Sequence, residues 1–153
     1  MQKKPKVLFL SRGNATRSQM AEGFLRAMGG DRFEAASAGI EPGVLNPAAV
    51  EVMKEAGIDI SGQKAKYLKE SLREHYGYVI TVCDAAREKA PVFPFTPNLV
   101  HWSIYDPESA PQDTEERRNI FRRVRDEIRA KVESFLNETI KKKPELSKTA
   151  EAR

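Results

Sequence analysis

The fold of this 153-residue chain is decided by residues 6–18, KVLFLSRGNATRS. Positions 7–10 form a continuous apolar run, a short polar turn with one glycine follows, and a helical pattern begins after it. An apolar run that leads into a helix in this way is typical of a buried parallel strand. Because the turn would gather backbone N–H groups at the positive end of the helix, it predicts a cradle for an oxyanion. Arg17 adds a planar set of donors that suits a tetrahedral anion.

The spacing of the side chains in this turn makes the signal specific. Five residues separate Ser11 from Arg17, and Ser18 follows at once. With cysteine at position 11 the segment would be Cys-x5-Arg-Ser, the phosphate loop of the low-molecular-weight protein tyrosine phosphatases and of the thioredoxin-coupled arsenate reductases built on the same fold. The chain resembles this family through the loop, through the Gln-Met-Ala-Glu-Gly segment at 19–23, and along its length to about residue 140.

The resemblance implies a role for each residue of the loop. In the family the cysteine attacks phosphorus or arsenic, the loop amides and the arginine hold the oxyanion, the asparagine shapes the loop, and the next serine supports the thiolate. Carried over, these roles fall on position 11, Arg17, Asn14 and Ser18. The oxyanion site implied in this chain comprises Arg12, Gly13, Asn14, Ala15, Thr16, Arg17 and Ser18.

Position 11 is where the sequence departs from the family pattern. A serine hydroxyl has a far higher pKa than a thiol, and the field of the loop is not strong enough to ionise it. The two histidines, His75 and His101, have no neighbouring motif of a serine triad. We therefore expect Ser11 to bind the oxyanion without attacking it. The chain is then either a variant inactivated to trap a ligand or intermediate, which we favour, or a natural pseudoenzyme.

A second reactive position ends the strand predicted over 78–83. Cys83 would lie at the same edge of a parallel sheet as the loop, although an isolated cysteine there is explained about equally well as a small buried hydrophobe. The resemblance implies that it is the cysteine that displaces arsenite by forming a disulfide with the attacking cysteine. In the arsenate reductases a third cysteine follows after seven residues, where this chain has Ala90. The cascade needs three sulfurs, and only the middle one is present.

An Asp-Pro pair follows the strand predicted over 99–104. Asp106 matches the general acid of the family, which protonates the leaving oxygen in the phosphatases, whereas the pair by itself would indicate a plain turn. Family phosphatases usually place an aromatic residue after this pair to grip a tyrosyl substrate. Glu108 stands at that position, which favours the arsenate branch.

Local signals predict the remaining elements. The first helix should close at 29–30, a second strand should cover 33–38, and Asn46 should cap a helix that begins at Pro47. Asp113 opens a capping box for a long final helix, whose interleaved arginines are expected to be solvated. The apolar stripe of that helix is Ile120, Phe121, Val124, Ile128, Val132, Phe135 and Leu136.

Composition narrows the class of protein. A hydrophobic content of 40% fits one globular domain over 1–140, followed by a charged tail over 141–153 that we expect to be frayed or disordered. Neither a membrane-spanning run nor a signal peptide is visible, and a single cysteine suits a reducing compartment, so we expect a cytoplasmic protein. The net charge of +4 is scattered or lies at 141–143, without a recognisable nucleic-acid module.

Together these signals predict a three-layer α/β sandwich with a four-stranded parallel sheet in flavodoxin-like order and helices on both faces. The function implied by the resemblance is arsenate reduction regenerated by thioredoxin or a similar thiol reductant, in a copy that lacks two reacting cysteines. The alternatives are a low-molecular-weight tyrosine phosphatase and an oxyanion-binding pseudoenzyme that acts through partners. We expect a monomer that binds arsenate, phosphate or sulfate, without a cofactor. No metal is predicted, because Lys64 and Lys66 stand where acidic or neutral residues would suit a monovalent cation better.

Overall fold

The computed structural model describes residues 4–71, 73–89, 96, 98–111 and 114–151. Two 3₁₀ turns, Leu68–Ser71 and Pro107–Ser109, accompany the strands and α-helices. In chain order the main elements are β1 (Lys6–Ser11), α1 (Arg17–Gly29), β2 (Glu34–Gly39), α2 (Pro47–Glu55), β3 (Tyr78–Thr81), α3 (Asp84–Lys89), β4 (Asn98–His101) and α4 (Thr114–Glu151).

The four strands form one parallel sheet in the order β2-β1-β3-β4. This confirms the predicted fold class and strand order. Because β1 and β3 are neighbours and run in the same direction, the turn that follows β1 and the turn that follows β3 lie at the same edge of the sheet. The order therefore brings Ser11 and Cys83 to one edge, as expected for an open parallel sheet.

Alternate residues of β1 feed two separate cores, one on each face of the sheet. Val7 and Phe9 pack into a large cluster with apolar residues of α1, α2 and α4. Leu8 and Leu10 pack into a smaller cluster on the other face, which includes Cys83. A continuous apolar run is thus explained by a strand that is buried on both faces, and the prediction of covered faces is confirmed.

Two strands are shorter than their apolar runs predict. β3 ends at Thr81 rather than at 83, and β4 ends at His101 rather than at 104. Each strand is prolonged by a single backbone contact, from Val82 N to Leu10 O at 2.8 Å and from Trp102 N to Thr81 O at 2.8 Å. After the end of β4 the side chains of Trp102 and Ile104 are still buried. Apolar sequence therefore marks burial here, whereas strand pairing ends earlier.

The helix signals at the chain's two early loops are confirmed. α1 ends at Gly29 with Gly30 as its C-cap, and Asn46 caps α2 by accepting a hydrogen bond from Ala48 N at 2.8 Å. Pro47 is the first residue of α2, where its missing N–H costs no helical hydrogen bond.

The final helix differs from its prediction in two respects. α4 continues to Glu151, so the expectation of a disordered tail from about residue 142 is wrong for the backbone; lysine, glutamate, leucine and alanine there all favour helix. The arginines are not all solvated either, because Arg125 is 14% exposed and donates to Val52 O at 2.9 Å. Asp113, Ala90 and their predicted roles lie outside the described residues. No helix in the described ranges is long and apolar enough to cross a membrane.

Candidate active site

The loop between β1 and α1 is built around Asn14, which has a positive φ of 56°. Its backbone N–H donates to Ser11 Oγ at 3.1 Å, and its side-chain Nδ2 donates to Ser18 Oγ at 2.7 Å. Ser11 Oγ and Ser18 Oγ are 2.5 Å apart. Either hydroxyl can be the donor in this pair. When Ser18 donates, the side-chain atom at position 11 faces two donors, the arrangement that stabilises an anion at this atom.

Gln19 locks Asn14 in this conformation. Its Nε2 lies 2.9 Å from Asn14 Oδ1, 3.0 Å from Asn14 O and 2.9 Å from Lys64 O. Lys66 N donates to the same Asn14 Oδ1 at 2.8 Å. All of these polar atoms are wholly or partly buried, so the left-handed residue has little freedom to relax. The sequence placed Gln19 in a family segment but gave it no role.

The carbonyl groups of the loop point away from its centre. Backbone N–H groups bind the carbonyls of Ser11 at 3.0 Å, Arg12 at 2.8 Å and Ala15 at 2.9 Å, while Thr16 O accepts from Met20 N at 2.9 Å. The peptide bonds are trans and planar, so each following N–H points opposite to its carbonyl. The N–H groups at positions 12, 13, 16 and 17 are therefore directed to the concave side of the loop.

Close backbone contacts hold this geometry from outside. A Cβ added at Gly39 would stand 2.7 Å from the carbonyl carbon of Gly13, and one added at Gly43 would stand 2.1 Å from Gly13 O. Any larger residue at either position would force the neighbouring segments away from the loop. The loop is thus packed against the end of β2 and against the segment that follows it.

The concave side of the loop opens into a cavity of about 200 Å³. Arg17, 10% exposed, lies in its wall and donates from Nη1 to Ile104 O at 3.0 Å, while its Nη2 lies 3.8 Å from Asp106 Oδ2. Asp106 is fixed in turn because its Oδ1 accepts from Glu108 N at 3.0 Å. The cavity is lined by Ser11, Arg12, Gly13, Ala15, Thr16, Arg17, Glu41, Asp106 and Glu108.

The buried hydroxyl of Thr16 offers a test of whether an anion fits this cavity. Thr16 is 2% exposed, and in the described part of the chain its Oγ1 has no hydrogen-bond partner. A buried hydroxyl without a partner costs about 1–3 kcal/mol. Thr16 belongs to the lining of the cavity, so an oxyanion bound there is a candidate for the acceptor that this hydroxyl lacks.

The structure gathers most, but not all, of the predicted site residues around the cavity. Asn14 and Ser18 are fully buried and support Ser11 from behind the lining. Cys83 is not among the described residues that line the cavity; it is 6% exposed, and its Sγ accepts from Ala86 N at 3.3 Å.

Glu22 carries a buried carboxylate near the loop, and the sequence by itself assigned it no individual role. Glu22 accepts from Ser37 Oγ at 2.5 Å, pairs with Arg26, and lies 3.6 Å from Lys66 Nζ. An ammonium group therefore already stands beside this carboxylate. Within the described residues, no cluster of three or more His, Cys, Asp or Glu side chains could hold a metal ion.

Comparison with known proteins identifies the family of the chain. The family described as low molecular weight phosphotyrosine protein phosphatase matches residues 6–146. The chain belongs to this family. An arsenate reductase of Shouchella clausii is 43% identical to the chain over 129 residues, which cover 84% of this chain and 93% of that protein.

Solved structures of the family share the architecture. An arsenate reductase in a phosphate-binding state superposes with a TM-score of 0.76 at 30% identity, over 88% of this chain and 98% of the other. A thioredoxin-dependent arsenate reductase of Corynebacterium glutamicum superposes with a TM-score of 0.66 at 27% identity, over 90% of this chain and 64% of the other.

Proposed function

We propose that this chain is an arsenate reductase whose loop binds a small tetrahedral oxyanion and whose reductive step needs a sulfur that Ser11 does not supply. The observation that carries the proposal is a cavity whose lining contains donors from Arg17, from the loop backbone and from Thr16, whose hydroxyl has no partner among the described residues. These donors match the four oxygens of arsenate or phosphate. The arsenate reductases similar to this chain support the same assignment.

The walls of the cavity favour an unesterified anion over an aryl phosphate. Its volume of about 200 Å³ is below the roughly 300–1,000 Å³ of pockets that enclose drug-sized ligands. Glu108 lines the cavity, and its Oε1 accepts from Asn46 Nδ2 at 2.8 Å. This fixed carboxylate, with that of Glu41, would lie against the organic group of an ester. A low-molecular-weight phosphatase is therefore the second candidate.

In the proposed reaction a thiolate at position 11 attacks arsenic while Asp106 protonates the oxygen that leaves. Arg17 and the loop amides stabilise the negative charge of the adduct. Cys83 then attacks the sulfur at position 11, so that a sulfur–sulfur bond forms, the sulfur–arsenic bond breaks, and arsenic leaves as arsenite with the electron pair. Two thiols are oxidised to one disulfide while arsenic is reduced by two electrons.

Serine at position 11 stops this sequence at its first step. Its Oγ meets the donors that would stabilise a thiolate, from Asn14 N and Ser18 Oγ, but an alcohol neither ionises near neutral pH nor forms a disulfide. As it stands the chain is proposed to bind the oxyanion without reducing it. Ala90 stands where a third sulfur would pass the disulfide to thioredoxin or a similar reductant. The enzyme is proposed to be monomeric and cytoplasmic.

Restoring both sulfurs tests the proposal. In a mixture of arsenate, thioredoxin, thioredoxin reductase and NADPH, the Ser11→Cys, Ala90→Cys double variant is expected to sustain NADPH oxidation by the reductase. The same variant with Cys83→Ser is the matched control, since it retains the anion site and lacks the resolving thiol. A double variant that hydrolyses phenyl phosphate but leaves arsenate unreduced would favour the phosphatase instead. Binding of inorganic phosphate by the parent without any restored activity would favour the oxyanion-binding pseudoenzyme.

A further inference from the structure

One histidine contacts both sides of the turn that carries Cys83. His101 on β4 is in register with Thr81 on β3. Its Nδ1 lies 2.7 Å from Thr81 Oγ1, and its Nε2 lies 3.1 Å from Asp84 Oδ1, the first residue of α3. A single imidazole therefore bridges the residue two positions before Cys83 and the residue directly after it.

The chemistry of the two partners decides which nitrogen carries the proton. A carboxylate can only accept hydrogen bonds, so the contact with Asp84 requires a proton on Nε2 of His101. In a neutral imidazole Nδ1 is then an acceptor, and the hydroxyl of Thr81 can donate to it. Both contacts of His101 are thus satisfied at once, which ties the end of β3 to the start of α3.

On the strand side of this turn, backbone hydrogen bonds run from Val82 N to Leu10 O and from Trp102 N to Thr81 O, each at 2.8 Å. α3 has six residues, of which Ala86 is buried. Cys83 holds the first turn of α3 through Sγ, which accepts from Ala86 N at 3.3 Å, and through its carbonyl, which accepts from Arg87 N at 3.2 Å. These contacts move with the turn, whereas His101 belongs to the neighbouring strand. Opening of the turn must therefore break the His101 contacts.

We propose that His101 is a positioning residue that holds the Cys83 turn closed. Cys83 is buried in the smaller core, and a thiol reacts only when its sulfur reaches the other reactant. Exposure of Cys83 then requires a local opening in which His101 releases Asp84 and Thr81. This inference goes beyond the proposed function, because it concerns the accessibility of one thiol and not the binding of an oxyanion.

The chain suits a direct measurement, because Cys83 is its single cysteine. The rate of labelling by a thiol reagent such as iodoacetamide reports only this residue, so the intact chain serves as the parent. His101→Leu removes both contacts at similar side-chain size, and we expect labelling to accelerate about tenfold, since a hydrogen bond to a carboxylate is among the stronger kinds. His75→Leu, which changes the other histidine, should leave the rate unchanged.

Two further variants separate positioning from general weakening. His101→Gln can still donate to Asp84, and we expect it to return the rate to within about threefold of the parent. Thr81→Val keeps the shape of its side chain and the Asp84 contact, so its rate should lie between those of the parent and His101→Leu. Labelling is repeated at low urea concentrations, where an opening confined to the turn stays nearly independent of denaturant.

Either of two results would overturn the inference. The first is labelling of His101→Leu at the parent rate; the second is acceleration that His101→Gln does not reduce and that follows global unfolding in urea. Calorimetric titration with inorganic phosphate keeps the two proposals apart. If the parent binds phosphate and His101→Leu is labelled at the parent rate, only the proposed role of His101 is rejected. If the parent does not bind phosphate, the proposed anion site is rejected instead.

Discussion

The anion loop at 11–18 and the Cys83 turn at 81–87 lie at the same edge of one sheet, yet they are held in different ways. Outside its concave side the loop is fixed by several neighbouring segments, including Gln19 on α1 and the close backbone approach of Gly43. The segment that contains Cys83 is held by the hydrogen bond from Val82 N to Leu10 O and by one imidazole from β4, and it includes the start of the six-residue helix α3. Binding a small anion requires donors that are already in position, whereas exchange of a sulfur bond requires a buried thiol to move. The difference in constraint matches the difference between the two proposed tasks.

The largest expected effect is on phosphate affinity and comes from removing the guanidinium of Arg17 from the anion loop. Arg17→Ala should weaken inorganic phosphate binding by about 100-fold or more, because it deletes a buried charge-assisted contact. Isothermal titration calorimetry measures this directly. Arg12→Ala is the matched control, since Arg12 lines the same cavity but is exposed, and it should cost about threefold. Equal affinities of the parent and Arg17→Ala would contradict the anion site.

The next largest effect is expected from Gln19, which supports the anion loop but does not line the cavity. Gln19→Leu leaves Asn14 O without its Gln19 donor and weakens the support of Asn14 Oδ1, so the free energy of unfolding should fall by about 2 kcal/mol. Phosphate affinity should fall with it. Urea denaturation measures the first quantity and calorimetry the second. Gln63→Ala, which also loses contacts with Gln19 but lies nearer the surface, serves as the milder comparison.

A smaller effect has opposite signs for stability and binding. Thr16→Val replaces the buried hydroxyl that has no partner in the described structure, so the ligand-free protein should gain about 1 kcal/mol of stability. Phosphate binding should weaken by about fivefold if this hydroxyl donates to the anion. Thr16→Ser keeps the hydroxyl and should retain affinity. A valine variant that binds phosphate as tightly as the parent would show that this side chain has no part in binding.

The smallest effect is expected at Glu55, which lies outside the anion loop and outside the Cys83 turn. Changing it tests whether those two regions are independent of the rest of the surface. Hydrogen bonds from Arg122, and then from Arg125, lower the pKa of Glu55 from 4.5 to about 2. Because this pKa is depressed in the folded state, the pair stabilises the protein above about pH 4.5 and loses that effect as the pH falls through about 2. Glu55→Gln should reduce the acid sensitivity of unfolding in this range. A change in phosphate affinity or in Cys83 labelling would contradict the separation.

The sequence predicted the features that are encoded by neighbouring residues. Three features could be predicted in this way: the buried strand β1, the loop between Ser11 and Arg17, and the cap at Asn46. Strand burial, loop geometry and helix capping are set within a few residues. The strand order followed from the resemblance, since no local pattern distinguishes one parallel arrangement from another. The ends of β3 and β4 could not be predicted from the sequence, because residues beyond each strand stay buried after the regular strand pairing has ended.

By itself the sequence determined that a turn rich in donors follows a buried strand and that a serine stands at its first position. Only the tertiary structure decided that Arg17 would meet Ile104 O, 87 residues away, that Lys66 would stand beside Glu22, and that His101 would bridge the Cys83 turn. Periodicity and turn chemistry act over short stretches of chain, whereas these contacts exist because the sheet brings the ends of distant strands to one edge.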